Sequence, residues 1–205
     1  LARREQILKA AKEVFGESGF LNATIEEIAQ RSELAVGTLY RYFQSKEELY
    51  VSILFEAMSL FSKSIETIRA SDRGPDEQLR NIWDFFYDFY VEQPEYYSAF
   101  MFLHNEGLRE VISPATLDAI NRRAGENFRQ VGQVVQAGVD AGIYRTDLDT
   151  RSVVDVLWST LMGLVQLVET RRNLGVRADM LSELHERAFE WTECGLRGAS
   201  GAELE

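Results

Sequence analysis

Along almost the whole chain apolar residues return at intervals of three and four, and only three prolines, at 75, 94 and 114, punctuate that rhythm. A 3.6-residue period commits a chain to helices with one apolar face. Runs of β-branched residues are rare, so the expected fold class is all-α. Ile7, Leu8, Ala11, Val14 and Phe15 share one face of a first helix that ends at Gly19, the residue type favoured just past a helix terminus. Thr24-Ile-Glu-Glu27 and Ser45-Lys-Glu-Glu48 are capping boxes, in which the hydroxyl accepts a free N–H of the first turn and the third glutamate reaches back. The first box opens a short helix carrying Ile25, Ile28 and Ala29. After Ser32-Glu33, a third short helix carries Val36, Leu39, Tyr40 and Phe43. The second box opens a long helix that turns Leu49, Ile53, Leu54, Ala57 and Phe61 inward and reaches about Arg69. Residues 70–75, with Ser71, Asp72, Arg73 and Gly74, form the clearest loop and are read as the hinge between domains. Further helices are expected at about 76–92, 95–104, 114–140, 150–172 and 178–196.

Composition narrows the function classes. Hydrophobic residues at 45% and charged residues at 27% match globular domains rather than disordered chains. The longest nearly uncharged stretch, residues 156–168, includes Ser159, Thr160 and Gln166, too short and too polar for a bilayer span. Residues 1–12 alternate charged and apolar side chains, unlike a secretory signal, which makes the cytoplasm the expected compartment. Cys194 is the single cysteine, excluding an internal disulfide and a thiolate zinc site. No metal or cofactor is expected. The formal charge of −11 argues against nucleic acid as a partner until its distribution is considered. Residues 1–50 hold seven Lys/Arg against eight Asp/Glu, so all but one unit of the net charge lies beyond them.

Two short helices joined by a tight turn and braced by a helix on either side are what reading DNA in the major groove requires. Residues 24–43 have that length, and Ala29 is small enough to let the second and third helices cross closely. The stretches Thr24-Ile-Glu-Glu-Ile-Ala-Gln-Arg31 and Val36-Gly-Thr-Leu-Tyr-Arg-Tyr-Phe-Gln-Ser-Lys-Glu-Glu-Leu49, preceded by Ile7-Leu8, Ala10-Ala11, Phe15 and Gly19, resemble the signature of the TetR family of transcriptional regulators over about 50 of the 205 residues. The resemblance implies a three-helix DNA-binding domain, expected at 1–48, joined by a long connecting helix to an antiparallel helical ligand-binding and dimerisation domain at 49–205. It implies a ligand-responsive regulator, expected to be a repressor released from a pseudo-palindromic operator by a small apolar or aromatic effector.

Physical roles follow for named residues. Thr24 caps a helix whose free N–H groups favour a phosphate oxygen. Lys46 in the first turn of the fourth helix opposes the helix dipole, a position explained if a phosphate docks there. Arg41 and Tyr42 are candidates for backbone contacts, and Arg3 and Arg4 for phosphates or a minor groove. Gly37 lets the backbone approach base edges, while Val36 and Thr38 offer methyl groups, joined by Tyr40. Leu39 and Phe43 are read as core. One departure from the family pattern is Glu33-Leu34, where glycine and valine are usual. If position 33 needs a left-handed backbone, Glu costs on the order of 1 kcal/mol relative to Gly and points to altered turn geometry.

Beyond residue 75 the aromatic density exceeds what a simple core needs. Trp83, Phe86, Tyr87 and Tyr90 lie on one helix that is apolar almost all round, and Phe100, Met101 and His104 follow. With Phe128, Trp158 and Met162 they are the candidate effector pocket, which resembles the family's cavity. Asp88 and Glu106 would favour an apolar cation if they faced it. The last two helices carry Val154, Leu157, Leu161, Leu164, Val165 and Val168, then Leu181, Leu184, Ala188 and Trp191. These form the expected homodimer interface, matching a two-fold operator. The expected mechanism is that effector binding tilts the fourth helix and changes the spacing of the two recognition helices. Two rivals fit less well. A helical enzyme would rely on His104 and His185, but neither has Glu three residues before it, as di-iron bundles require. A protein-binding helical adaptor would not need Gly37, Tyr42 and Lys46 in this arrangement.

Overall fold

The computed structural model describes residues 2–102, 112–175 and 180–198, and among them every regular element is a helix. In chain order these are α1 (Ala2–Asn22), α2 (Ile25–Arg31), α3 (Val36–Tyr40), α4 (Lys46–Arg69), α5 (Pro75–Glu92), α6 (Pro94–Phe102), α7 (Pro114–Asp140), α8 (Thr150–Asn173) and α9 (Leu181–Arg197). All three prolines open a helix. A first-turn position needs no N–H donor, and the fixed φ of proline is already helical there.

The chain packs as two compact units, Leu1–Ser62 with Asp88–Ala124, and Lys63–Tyr87 with Gly125–Glu205. In the first, Ile7, Ala11, Val14 and Phe15 of α1 are buried, as are Ile28 of α2, Leu39 of α3 and Leu49 and Ile53 of α4, and α1 packs against α2. Gly19 interrupts α1 at φ 72° and ψ 159°, after which one more turn carries the buried Phe20. Helix α6 packs against α1 in the same unit, and the Tyr50 hydroxyl donates to the Ala99 carbonyl.

In the second unit, Leu79, Ile82, Trp83 and Phe86 of α5 are buried, as are Val131, Val134 and Val135 of α7, Val153, Leu157 and Leu161 of α8, and Phe189 of α9. Gly138 admits the ring of Tyr144, since a Cβ there would lie 2.3 Å from it. Burial pushes the Tyr144 phenol up to about 12. The loop at residues 70–74 lies where the sequence places it, but it falls inside this second unit, after the last turns of α4, and is not the boundary, which the chain crosses within α4 at Ser62–Lys63. The Gln78 side chain donates to the Arg73 carbonyl at 3.0 Å and closes the loop. Helix α8 corrects a second expectation. Over Thr150–Asn173 it is long and apolar enough to cross a membrane by length and composition alone, because Val153 and Val154, ahead of Asp155, extend the apolar stretch beyond residues 156–168.

Candidate nucleic-acid interface and effector region

Helix α2 starts as its capping box dictates. Thr24 Oγ1 accepts from the Glu27 N–H at 3.2 Å, and the Glu27 carboxylate accepts from the Thr24 N–H at 2.9 Å. The Thr24 N–H and hydroxyl, both donating to it, hold the Glu27 carboxyl below its usual range. The helix ends in a Schellman motif, with Leu34 N–H bonded to Ala29 O at 2.9 Å and Glu33 N–H to Gln30 O at 3.0 Å. Glu33 occupies the left-handed position, with φ 54°, the one non-glycine residue with positive φ among the described residues. The turn geometry that glycine would favour is therefore adopted with a glutamate.

This turn sets α3 so that Leu39 and Phe43 are completely buried while Tyr40 and Tyr42 remain 48% and 41% exposed. Gly37 and Arg41 are exposed and Val36 and Thr38 half-buried. A Cβ on Gly37 would meet nothing within 4 Å, so internal packing does not require glycine there. The outward face of α3 thus carries a bare backbone, small methyl and hydroxyl groups, and two phenols flanking an arginine.

The basic residues of this unit divide into engaged and unengaged groups. Arg31 forms a fork with Glu17 at 2.7 and 2.8 Å, which holds the Glu17 carboxyl low. The Arg4 guanidinium sits 4.9 Å from the Phe43 ring centre and donates to Ser52 Oγ at 3.1 Å. Arg3 bonds only Gln6, and Arg41 lies 3.5 Å from Thr38 Oγ1; neither forms an ion pair among the described residues. Lys46 is placed differently from expectation. Its ammonium donates to the carbonyls of Phe20 at 2.8 Å and Ala23 at 2.9 Å, and lies over the Phe20 ring at 4.5 Å. A cation in the first turn of α4 is accounted for by the carbonyl-rich end of α1, without a phosphate. Thr24 follows directly on Ala23, so Lys46 also fixes the approach to the α2 cap. The second capping box is shifted: Glu48 N–H donates to Ser45 Oγ, while the Glu48 carboxylate takes the N–H of Gln44.

The candidate effector residues do not form one cluster. Trp83 is buried, stacks on His185 at 5.2 Å between ring centres, and donates its indole N–H to the His185 carbonyl at 3.1 Å. It is a core residue with its polar handle used, and Tyr87 leans on the same imidazole at 4.8 Å. Phe86 and Phe128 both approach Trp158, at 5.1 and 5.5 Å. Met162, half-buried, lies four residues after Trp158 on α8. Tyr90 and Phe100 belong to the first unit, where Tyr90 meets Tyr97 edge-on at 4.9 Å. His104 and Glu106 and the Met101 side chain lie outside the described residues. Asp88 is exposed, so it supplies no buried charge to favour a cation. Sequence reasoning missed Asn127 and Gln130, buried polar side chains on α7, whose signal was two amides on the face that also carries Val131 and Val134.

The expected interface set also needs correction. Val154, Leu157, Leu161, Val165, Val168, Leu181 and Ala188 are buried within the protomer. The outward stripe of α8 is Val156, Thr160, Gly163, Leu167, Thr170 and, just past its end, Leu174; Val156, Leu167 and Leu174 are 56%, 41% and 72% exposed. On α9, Trp191 is 71% exposed and Leu184 half-buried. Helix α8 is apolar on two faces, and the protomer's own core takes the one that the sequence assigned to a partner.

Residues 7–53 match the model of a family described as bacterial regulatory proteins, tetR family. The chain is 30% identical over 145 residues, 71% of its length and 67% of the relative's, to the HTH-type transcriptional repressor NicS of Pseudomonas putida. It is 26% identical over 161 residues to the HTH-type transcriptional repressor KstR2 of Mycobacterium tuberculosis, covering 77% of this chain and 78% of that one. Among solved structures, the transcriptional regulator FadR of Bacillus subtilis in complex with stearoyl-CoA superposes with a TM-score of 0.75 at 21% identity, over 94% of this chain and 98% of that one. AibR in complex with isovaleryl coenzyme A and operator DNA gives 0.70 at 17% identity, over 95% and 97%.

Proposed function

The chain belongs to the tetR family of bacterial regulatory proteins, and on that premise we propose that it is a ligand-responsive repressor that binds operator DNA as a homodimer. Residues 1–48 are the DNA-binding domain and residues 49–205 the effector-binding and dimerisation domain. The observation that carries the reading is α3 with the three residues after it, which bury Leu39 and Phe43 completely and leave Gly37, Tyr40, Arg41 and Tyr42 exposed and Val36 and Thr38 half-buried. Val36, Gly37, Thr38 and Tyr40 read the major groove, with Arg3, Thr24, Arg41 and Tyr42 on the phosphate backbone. Lys46 acts by holding the α1–α2 turn in place. In a chain of net charge −11, binding rests on this local surface rather than on the overall field.

The outward stripes of α8 and α9 pair with their copies across a two-fold axis. Gly163 and the threonines let two α8 helices approach closely, and Trp191 is the large side chain left to bury. A small organic effector binds in the second domain beside Phe86, Phe128 and Trp158. It changes the tilt of α4 and hence the separation of the two recognition helices, for which a coupling of about 1–3 kcal/mol suffices. The fold shared with neighbours solved with acyl-CoA molecules supports a ligand-gated reading.

Selection of bound duplexes from a random pool, followed by fluorescence anisotropy, tests the proposal. The selected sites are pseudo-palindromes with half-sites about one helical turn apart, and Tyr40→Ala and Arg41→Ala each weaken binding. A pool that yields no enriched sequence rejects DNA reading by α3. Light scattering gives a dimer for the native chain and a monomer for Trp191→Glu; a native monomer at micromolar concentration rejects the paired stripes.

A further inference from the structure

Helices α7 and α8 of the second unit come together at Gly132, where a Cβ would lie 3.8 Å from Val154. Beside this approach runs an open groove of about 620 Å³. Its apolar wall is Phe128 and Val154, and Phe128 continues into the Trp158 ring at 5.5 Å. Two arginines, Arg129 and Arg151, stand in the same groove, both exposed. Neither forms an ion pair or a side-chain hydrogen bond with a described residue, and neither reaches Asp155, the one carboxylate of the lining. Several other arginines of this unit hold carboxylates, Arg80 with Asp84, Arg145 with Asp147, Arg187 with Glu183 and Arg197 with Asp76, while Arg69 and Arg73 share with Arg129 and Arg151 the lack of an ion pair among the described residues. In a chain whose acidic surplus lies almost entirely beyond residue 50, two guanidinium groups outside any ion pair stand beside an apolar wall, Arg151 near enough to Asp149 to help Ser152 hold that carboxyl low.

The chemistry of that arrangement is specific. A guanidinium offers a planar fork of donors matched to a carboxylate or a phosphate. Phenyl and valine surface offers only the removal of apolar area from water, roughly 25 cal/mol per Å² covered. An amine would leave both arginines unpaired and meet like charge, and a neutral apolar molecule would leave them unused.

We infer that the α7–α8 groove binds an anionic amphiphile, its carboxylate or phosphate held by Arg129 and Arg151 and its apolar body laid on Phe128 and Val154. The inference rests on the reading of residues 49–205 as the effector-binding domain and gives that effector a chemical class. It replaces the apolar cation expected from Asp88 and Glu106.

Octanoate, octyl phosphate, octanol and octylamine, each below its aggregation threshold, are titrated into the full chain, followed by calorimetry and by tryptophan fluorescence, to which Trp158 contributes. The expected result is saturable binding of at least one anion, with octanol about tenfold weaker or more and octylamine silent. The stronger of the two anions identifies the head group. An R129Q/R151Q double variant loses about tenfold or more in anion affinity with an unchanged thermal melt and unchanged octanol binding. Octanol or octylamine binding as tightly as the anions overturns the assignment, as does a double variant that keeps full anion affinity. Operator affinity is measured in parallel: anion binding that leaves it unchanged sustains the groove and rejects its role as the effector site.

Discussion

Lys12 on α1 donates to the Tyr96 hydroxyl on α6 at 2.7 Å, lies 4.5 Å from the same ring's centre, and pairs with Glu56 of α4 at 3.5 Å. One ammonium thus joins three helices of the first unit. Burial by itself lowers the Lys12 pKa, but the Tyr96 hydroxyl and the Glu56 carboxylate more than offset it and keep the group charged. Replacing Tyr96 by Phe removes the hydrogen bond and leaves the ring. The expected loss of stability is about 1–2 kcal/mol, read as a lower urea midpoint at unchanged slope. A Y96F variant as stable as the native chain would show that the bond contributes nothing net.

Glu33 carries its strain in a turn closed by its own and Leu34's backbone N–H groups, next to Ser32, whose carbonyl accepts from Gln6 Nε2 and whose hydroxyl donates to the Ala29 carbonyl. Glu33→Gly relieves the left-handed penalty while giving the unfolded chain more freedom. The expected net gain is about 0.5–1 kcal/mol with operator affinity unchanged. A destabilised Glu33→Gly chain, in chemical denaturation, would mean that the glutamate contributes contacts beyond its backbone.

Lys46 separates a positioning role from a phosphate contact. Each phosphate contact contributes about 0.9 to the slope of log affinity against log salt. Lys46→Gln is therefore expected to weaken operator binding while leaving that slope unchanged, because the side chain serves the Phe20 and Ala23 carbonyls. Arg41→Gln is expected to flatten the slope by roughly that 0.9. A comparable flattening in the Lys46 variant would restore the phosphate reading.

His185 gives stability a defined pH dependence. Its imidazole is buried between Trp83 and Tyr87, with Nε2 at 3.2 Å from the Trp83 carbonyl, Asp84 and Glu186 near 4 Å, and Arg80 bound to both carboxylates. Burial holds its pKa below the ordinary 6.5 despite those carboxylates. The native state therefore keeps the ring neutral where the unfolded chain takes up a proton. The stability from this group is fully present above pH 6.5 and falls as the pH drops from there toward the lower folded value. Melting temperatures of the native chain and His185→Phe should separate as the pH falls below 6.5, the native chain losing stability that the variant, with no titrating ring at this position, does not lose. Parallel curves across that range would exclude the titration.

The sequence by itself determined the helices and most of their ends, although α1 resumes beyond Gly19 and reaches Asn22. Capping boxes, a glycine past a helix and prolines at first-turn positions act over four or five residues, and local spacing is enough to read them. It also determined which face of α3 turns inward, because Leu39 and Phe43 are the large apolar residues of a short segment otherwise made of small, polar and phenolic ones. Tertiary structure decided what depends on distant partners. Lys46 finds carbonyls 23 and 26 residues away, and Trp83 and His185 meet across 102 residues. Nothing in local spacing encodes those separations. The outward stripe of α8 was illegible for a further reason: with Val154, Leu157 and Leu161 on one side and Val156 and Leu167 on the other, periodicity shows that the helix is apolar but not which face the protomer covers. Packing against α7 and α9 chose the first and left the second exposed.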